Sequence, residues 1–363
     1  MNFAPNLAFS ELPGLWITPL LEAEYSGASN LLLIDDELFI YARNLKLYYL
    51  LGANLAPSRN WLFKLKGFGR NVFVSEANTE DLGTGMYDFN DAGAWLEAAV
   101  KYRAGSGMRT RLGFKGYARR YPHYDPLLDQ AAPTLAPPGA EGEEFQSPDI
   151  DVGEIWLRQE AAWPGIGVLT NFELRIRDVR YVEQKVLDGV GAVTDEARRD
   201  QYLQAGVEIP ILLNRSHQFE LGYQHTLRAT NQRVYDQEFD LYLDYYQYRQ
   251  HRARARYSVE TGLRLGGFPL RGAVGFSYQN RVYVNRPALR QIDDGTEAYD
   301  PDRLHAETTL DFSITLRQAL FTEWFHVFLS YHGITRSSTT TAGDPVSYNY
   351  GYQTVSLGTA VSF

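Results

Sequence analysis

Hydrophobic and polar residues alternate with a period of two, almost without interruption, from Leu15 to Phe363. Successive side chains of a strand point to opposite faces, so this period predicts extended segments with one apolar and one polar face. At 45, 47, 49, 51, 53 and 55 every residue is apolar, while the opposite parity holds Lys46 and Asn54. Ala94, Leu96, Ala98, Val100 and Tyr102 alternate with a parity that holds Glu97, Lys101 and Arg103. Leu304, Ala306, Thr308, Leu310, Phe312, Ile314 and Leu316 alternate with His305, Glu307, Thr309, Asp311, Ser313, Thr315 and Arg317. Such segments reach roughly ten residues or more, against about five or six in ordinary globular sheets. That is the length a tilted strand needs to cross a hydrocarbon layer.

The pattern predicts about fourteen strands, over 15–25, 43–55, 60–75, 88–104, 107–121, 150–163, 168–183, 199–213, 217–230, 239–265, 270–285, 302–319, 323–336 and 349–363. Short connections such as Ala56 to Arg59, Pro164 to Gly167 and Gly266 to Pro269 alternate with long ones at 26–42, 76–87, 122–149, 184–198, 231–238, 286–301 and 337–348. The predicted fold is therefore all-β: a transmembrane antiparallel up-and-down β-barrel of about 14 strands over 15–363, with 1–14 as an N-terminal segment on the short-turn side. Closure follows from physics, because an open sheet edge in lipid leaves unpaired N–H and C=O groups. A soluble β-sandwich also alternates, but with shorter strands and no rule of short and long turns.

Composition narrows the picture. There is no Cys among the 363 residues, which removes disulfides, thiol nucleophiles and thiolate metal sites. No run of apolar residues is long enough for a spanning helix. The start lacks a basic head followed by an apolar stretch, so a barrel reading implies a mature form that has lost its leader. A net charge of −9 argues against nucleic acid as a partner. The 122–149 loop, with Ala136 to Glu144 rich in Pro, Gly and Glu, cannot bury much apolar surface.

The chain ends Thr354 to Phe363, with apolar residues on the parity of the terminal Phe. This resembles the C-terminal strand of bacterial outer-membrane proteins, and the resemblance implies that Phe363 is a signal read by the barrel-assembly machinery. It also implies an outer-membrane location, lipid contact and periplasmic short turns. Trp61, Phe63, Trp163, Phe268, Phe321, Trp324 and Phe325 resemble one interfacial aromatic girdle, and Tyr117, Tyr121, Tyr181, Tyr283, Tyr348 and Tyr350 the other. More loosely, the Arg- and Tyr-rich stretches 117–124 and 242–257 resemble the barrel part of exopolysaccharide exporters and surface-lipoprotein assembly proteins. The helical repeat module of those families is missing from this sequence.

With the apolar parity toward lipid, the polar parity lists the lumen. Its basic candidates for a substrate path are Lys64, Lys66, Arg109, Arg111, Lys115, Arg119, Arg175, Arg177, Arg252, Arg254, Arg256 and Arg264. Acidic residues of the same parity include Glu97, Glu154, Glu160, Glu173, Glu208, Glu220, Glu307 and Asp311. Two readings stand side by side. The charges form ion-pair ladders that stiffen the wall, or the surplus Arg lines a path for anions. Arg252, Arg254 and Arg256 form one stripe, and Arg109, Arg111, Lys115 and Arg119 another. Trp95, Trp156, Tyr242, Tyr246 and Tyr248 are interior aromatics suited to stacking on sugar rings or to packing.

Nucleophile-elbow, His-Glu-x-x-His and phosphate-loop motifs are missing, so no enzyme, cofactor or metal is expected. Acidic residues 293–302 could hold Ca²⁺ but depart from EF-hand spacing, and Asn214-Arg215-Ser216 falls in a predicted tight turn. The expected function is a channel with a net-basic lumen for export of a polysaccharide or other anionic substrate, working with periplasmic export components. The alternatives are a barrel that moves or assembles surface lipoproteins, and a passive anion-preferring porin.

Overall fold

A computed structural model describes residues 2–3, 7–8, 14–28, 33–34, 37–38, 42–75, 88–102, 107–122, 148–188, 192–235, 241–242, 245–291, 297–320, 325–340 and 350–361. Fourteen long strands form one sheet: β1 (Leu15–Ala28), β2 (Ala42–Ser58), β3 (Trp61–Ser75), β4 (Phe89–Lys101), β5 (Met108–Arg120), β6 (Ile150–Trp163), β7 (Val168–Leu187), β8 (Val193–Leu212), β9 (His217–Thr230), β10 (Tyr248–Leu265), β11 (Phe268–Gln291), β12 (Glu297–Ala319), β13 (Phe325–Ser338) and β14 (Tyr350–Val361). Each pairs antiparallel with the next in chain order, which is the up-and-down topology the turn asymmetry predicts. The fold is that of an outer-membrane β-barrel.

The two faces are inverted relative to a soluble protein. Leu65, Leu96, Leu112, Ile155, Ile176 and Leu357 lie exposed, the last at 77 %. Asp91, Glu97, Asp200 and Glu307 are buried. A face of exposed Leu and Ile opposite a sheltered face of carboxylates is stable only where the outer medium is lipid and the inner one is polar.

Strand tilt is legible in the register. One outward row passes through Leu55, Phe63, Ala98, Leu112, Leu157, Leu174 and Ala205 on β2 to β8. It begins three residues from the short-turn end of β2 and continues through His225 to His251, three residues from the loop-side start of β10. A row that climbs from one rim to the other is the stagger of tilted strands in a barrel wall.

Turn chemistry follows the sequence. Gly266 and Gly267 join β10 to β11 with φ of 63° and 89°, a left-handed pair that only glycine adopts without strain. Gly14, at φ 91°, could not carry a side chain, since a Cβ there would sit 2.5 Å from the Ala56 carbonyl oxygen.

Several boundaries differ from the predicted ones. β8 begins at Val193 rather than 199, so the 184–198 loop is mostly hairpin. The tenth strand begins at Tyr248 rather than 239, because Leu241–Tyr242 pairs with Val234–Tyr235 in a separate small hairpin. The Leu- and Tyr-rich run 241–248 has strand-like composition, so the sequence does not mark where the chain leaves the wall. β11 and β12 run to Gln291 and from Glu297, consuming most of the 286–301 loop. Register shifts around Pro287 break their period, as bulges do. The N-terminal segment is not wholly outside the sheet: Asn2–Phe3 and Leu7–Ala8 pair with the outer edge of β1. Among the described residues no ladder joins β14 to β1. Phe363, Arg103 and most of the 122–149 loop lie outside the described residues.

Candidate functional site: the polar wall

The polar face is organised by carboxylates that each hold two cations. Asp91 on β4 accepts from Arg70 Nε at 3.0 Å and Arg119 Nε at 2.8 Å. Glu160 takes Arg109 and Arg111 at 3.0 and 2.9 Å, and Glu97 takes Lys64 at 2.9 Å with Arg111 at 4.0 Å. Glu173 takes Arg158 and Arg175, at 2.9 and 2.6 Å. Asp200, with no exposed surface, takes Arg228 at 2.7 Å and Arg198 at 3.2 Å. Glu307 takes Arg336 at 2.6 Å and Arg281 at 3.3 Å, with His305 Nε2 at 3.1 Å. A carboxylate between two cations is satisfied; the groups on Asp91, Asp200 and Glu307 keep one excess positive charge each, whereas Arg175 also meets Glu154 at 3.6 Å and leaves the Glu173 group balanced.

Of the twelve basic residues named from the sequence, those on β3 to β7 (Lys64, Lys66, Arg109, Arg111, Lys115, Arg119, Arg175 and Arg177) are all engaged. Lys66 lies over the Trp95 ring at 4.6 Å, and Lys115 lies 4.8 Å from the rings of both Phe68 and Tyr117. Arg177 donates to the Tyr117 hydroxyl at 3.2 Å. On β10, Arg254 pairs with Glu208 and, at 3.8 Å, with Glu220, and Arg252 donates to Ser277 Oγ at 3.0 Å. Arg256 is exposed opposite Glu220, and Arg264 is exposed near the Gly266-Gly267 turn. Ion pairs thus account for half of the predicted set, Lys64, Arg109, Arg111, Arg119, Arg175 and Arg254, and the exposed members are Arg254, Arg256 and Arg264 on β10.

One inward row interleaves four cations and four aromatic rings, with the carboxylate of Glu154 at its middle. Residue by residue across the strands it reads Lys66, Trp95, Lys115, Glu154, Arg177, Tyr202, Arg228, Tyr248 and Tyr283. Arg177 and Arg228 flank the Tyr202 ring at 5.8 Å each, and Arg228 lies 5.7 Å from Tyr248. Arg281 stacks over Tyr248 at 4.5 Å. Sequence reading named Lys66, Lys115 and Arg177 but not Tyr202. The row becomes visible only once the register is known, because its members come from nine strands.

Below this row lies a recess of about 300 Å³, bounded by Arg158, Arg175, Arg252, Arg254, Glu173 and Glu208, with Gly206 and Gly222 as its floor. Asn171, Gln204 and Gln224 add carboxamides. A side chain at Gly222 would collide with Arg254, its Cβ falling 2.5 Å from Nε, so the glycine keeps the recess open. A second recess continues it past Trp95 and Trp156, whose rings meet edge-on at 5.4 Å. Trp95 Nε1 is buried with no hydrogen-bond partner among the described residues.

The expectation of an outward loop-side tyrosine girdle is corrected. Tyr117, Tyr181 and Tyr283 face inward, packing against Val152, Asp200 and His305, rather than forming an outward loop-side girdle. They sit near the ends of strands that run past the membrane, where ring and hydroxyl find partners inside the wall. Tyr121 likewise packs on the inward Phe89. The short-turn girdle does face outward, with Trp61, Phe63 and Trp163 exposed. Tyr348, Phe321 and Trp324 lie outside the described residues, as does the side chain of Tyr242. Sequence reading missed Asp91, Asp200, Arg70, Arg198 and Arg336, the partners that complete the ion groups.

No protein-family model and no curated protein matches the chain. Among solved structures it is similar to the copper transporter OprC, at 11 % identity and TM-score 0.41, covering 96 % of this chain and 54 % of that one. It is similar to the outer-membrane protein OmpT of Vibrio cholerae, trimer form, at 10 % identity and TM-score 0.38, covering 95 % of this chain and 97 % of that one. A third is the outer-membrane transporter YddB from Escherichia coli, at 9 % identity and TM-score 0.37, covering 93 % and 54 %.

Proposed function

We propose that this outer-membrane barrel is a conduit whose inner wall guides an acidic polysaccharide or a comparable anionic polymer. The interleaved row of cations and rings carries this reading. It runs from Lys66 near the short turns to Tyr283 near the loops, so it tracks the direction a chain would travel. Sugar rings stack on aromatic faces, and their carboxylates pair with guanidinium groups. A wall that interleaves both on either side of Glu154, at neighbouring-strand spacings of about 4.8 Å, suits a polymer with repeating charge. The carboxamides and doubly paired carboxylates of the recess below supply donors and acceptors for hydroxyls. The chemistry is binding and passage, with no catalytic step.

The test is current block in planar bilayers. Oligogalacturonate added to one side should interrupt the open-channel current with a residence time at least tenfold longer than maltooligosaccharide of equal length. Replacing Tyr202 and Tyr248 by Leu, and separately Arg177 and Arg228 by Gln, should each shorten the block. Equal block by the neutral and acidic sugars would remove the proposal. A large, steady anion current with no block by either sugar would favour a passive porin. Recovery of periplasmic export proteins with the barrel from membranes would support export over uptake.

A further inference from the structure

The outward face is apolar over most of its belt, yet the row described above turns polar where it reaches the loop side. After Ala205 it continues as His225 on β9, His251 on β10 and Asn280 on β11. The two imidazoles meet with ring centroids 4.5 Å apart, and the Tyr223 hydroxyl lies 2.6 Å from His251 Nδ1. Two residues beyond His251 on the same face stands Arg249, exposed and flanked in register by Leu227 and Val282. Asn280 Nδ2 donates to Thr308 Oγ1 at 3.3 Å on the next strand.

Elsewhere on the outer rim, arginines come with their own acids. Arg120 pairs with Asp151 at 2.6 Å and Arg199 with Asp178 at 2.6 Å, while Arg180 stands opposite Asp151. The outward positions of β9, β10 and β11 around Arg249 are 219–229, 249–259 and 272–284 on alternate residues. They read Phe, Leu, Tyr, His, Leu, Ala; Arg, His, Ala, Ala, Tyr, Val; and Gly, Val, Phe, Tyr, Asn, Val, Val. None is acidic. Among the described residues, a guanidinium, two imidazoles, a phenol and an amide therefore share one patch with no carboxylate to balance them.

We propose that this patch binds the phosphate of a lipid headgroup in the loop-side leaflet. Arg249 supplies a fixed charge, and His225, His251 and Tyr223 supply donors in an arc below it. The location selects lipid over a dissolved anion. Directly toward the turn side lie Leu221, Phe276, Tyr278 and Leu310, exposed to the hydrocarbon, which would take the acyl chains of the same molecule. The neighbouring Arg249 weighs against a divalent cation on the His pair, since a like charge would sit beside the metal.

The probe is dioctanoyl phosphatidic acid, titrated onto the full chain in an uncharged detergent and followed by native mass spectrometry. One molecule should be retained by the parent protein, with the apparent Kd weakened about tenfold in Arg249→Ala and in His251→Ala, and partly restored in Arg249→Lys. Heat-modifiable gel mobility shows that each variant is folded. Unchanged retention by the folded Arg249→Ala variant would overturn the proposal. Equal retention of inorganic phosphate would also overturn it, by showing a free-anion site. Zn²⁺ retained more tightly than the lipid and lost in His225→Ala would make it a metal site instead.

Discussion

Consider the stripe of Arg252, Arg254 and Arg256 on β10 converted together to Glu. Alternate residues of one strand lie about 7 Å apart, so an ion beside Arg254 is on average roughly 7 Å from the three charges. At that distance a unit charge in water contributes about 0.6 kcal/mol, reduced to about 0.3 kcal/mol by 0.1 M salt. The reversal changes six charge units, or about 2 kcal/mol, equivalent to roughly a thirtyfold drop in local chloride. Arg254 also loses its pairing with Glu208 and Glu220, so the triple Gln variant is the gentler companion and should give about half the effect in kcal/mol. The assay is the reversal potential of single channels in a KCl gradient. The parent should prefer chloride, the Gln variant should be weakly selective, and the Glu variant should prefer potassium. A Gln variant that assembles with full conductance and unaltered reversal potential would show that the stripe lies off the ion path.

Three further outcomes follow from the wall. Asp200→Ala strands Arg198 and Arg228 in the interior, at a cost of about 3–5 kcal/mol, and should lower the temperature of the heat-modifiable gel shift; parent-like unfolding would mean those guanidinium groups find other partners. Gly113→Val drives a side chain into Trp156, whose ring would lie 2.0 Å from the new Cβ, so Trp156 should swing into the recess and its fluorescence become more accessible to iodide. Leu112→Arg places a charge on the lipid face at about 2–4 kcal/mol, whereas Gln204→Arg on the polar wall should be nearly neutral. Equal yields of folded protein for that pair in refolding into vesicles would contradict the assignment of faces.

Much of the wall was legible because one face is lipid and the other is water-like, and period-two alternation reports that difference directly. The parity of Leu112, Ile155 and Ile176 placed them outward without any structure. The parity of Lys64, Arg111 and Arg175 placed those residues inward. Pairing was less accessible, since Glu160 meets Arg109 and Arg111 only through register. Asp200 lay inside a predicted strand, but its meeting with Arg228 and Tyr181 from the two neighbouring strands appears only with the register. The tyrosines failed for a different reason: an aromatic near a strand end fits an interfacial girdle or an inner brace equally well, and only its face decides. The outward His225 and His251 drew no notice because two scattered histidines in sequence give no hint that they share a rung.

The β11–β12 hairpin, with strands of 24 and 23 residues, reaches well beyond what a bilayer requires. At about 3.4 Å per residue each strand is roughly 80 Å long, and about ten residues suffice to cross the hydrocarbon. Its upper part is braced at the base, where Arg286 lies over Tyr245 and Tyr283. The protein therefore carries a ribbon above the membrane belt, its ladder broken between Val282 and Pro287 but resumed from Ala288 to Gln291, where Leu289 N donates to Thr340 Oγ1 at 3.4 Å. Proteases acting on intact cells should find the paired segment above Pro287 a poor substrate, and whatever approaches from outside meets this hairpin before it meets the membrane.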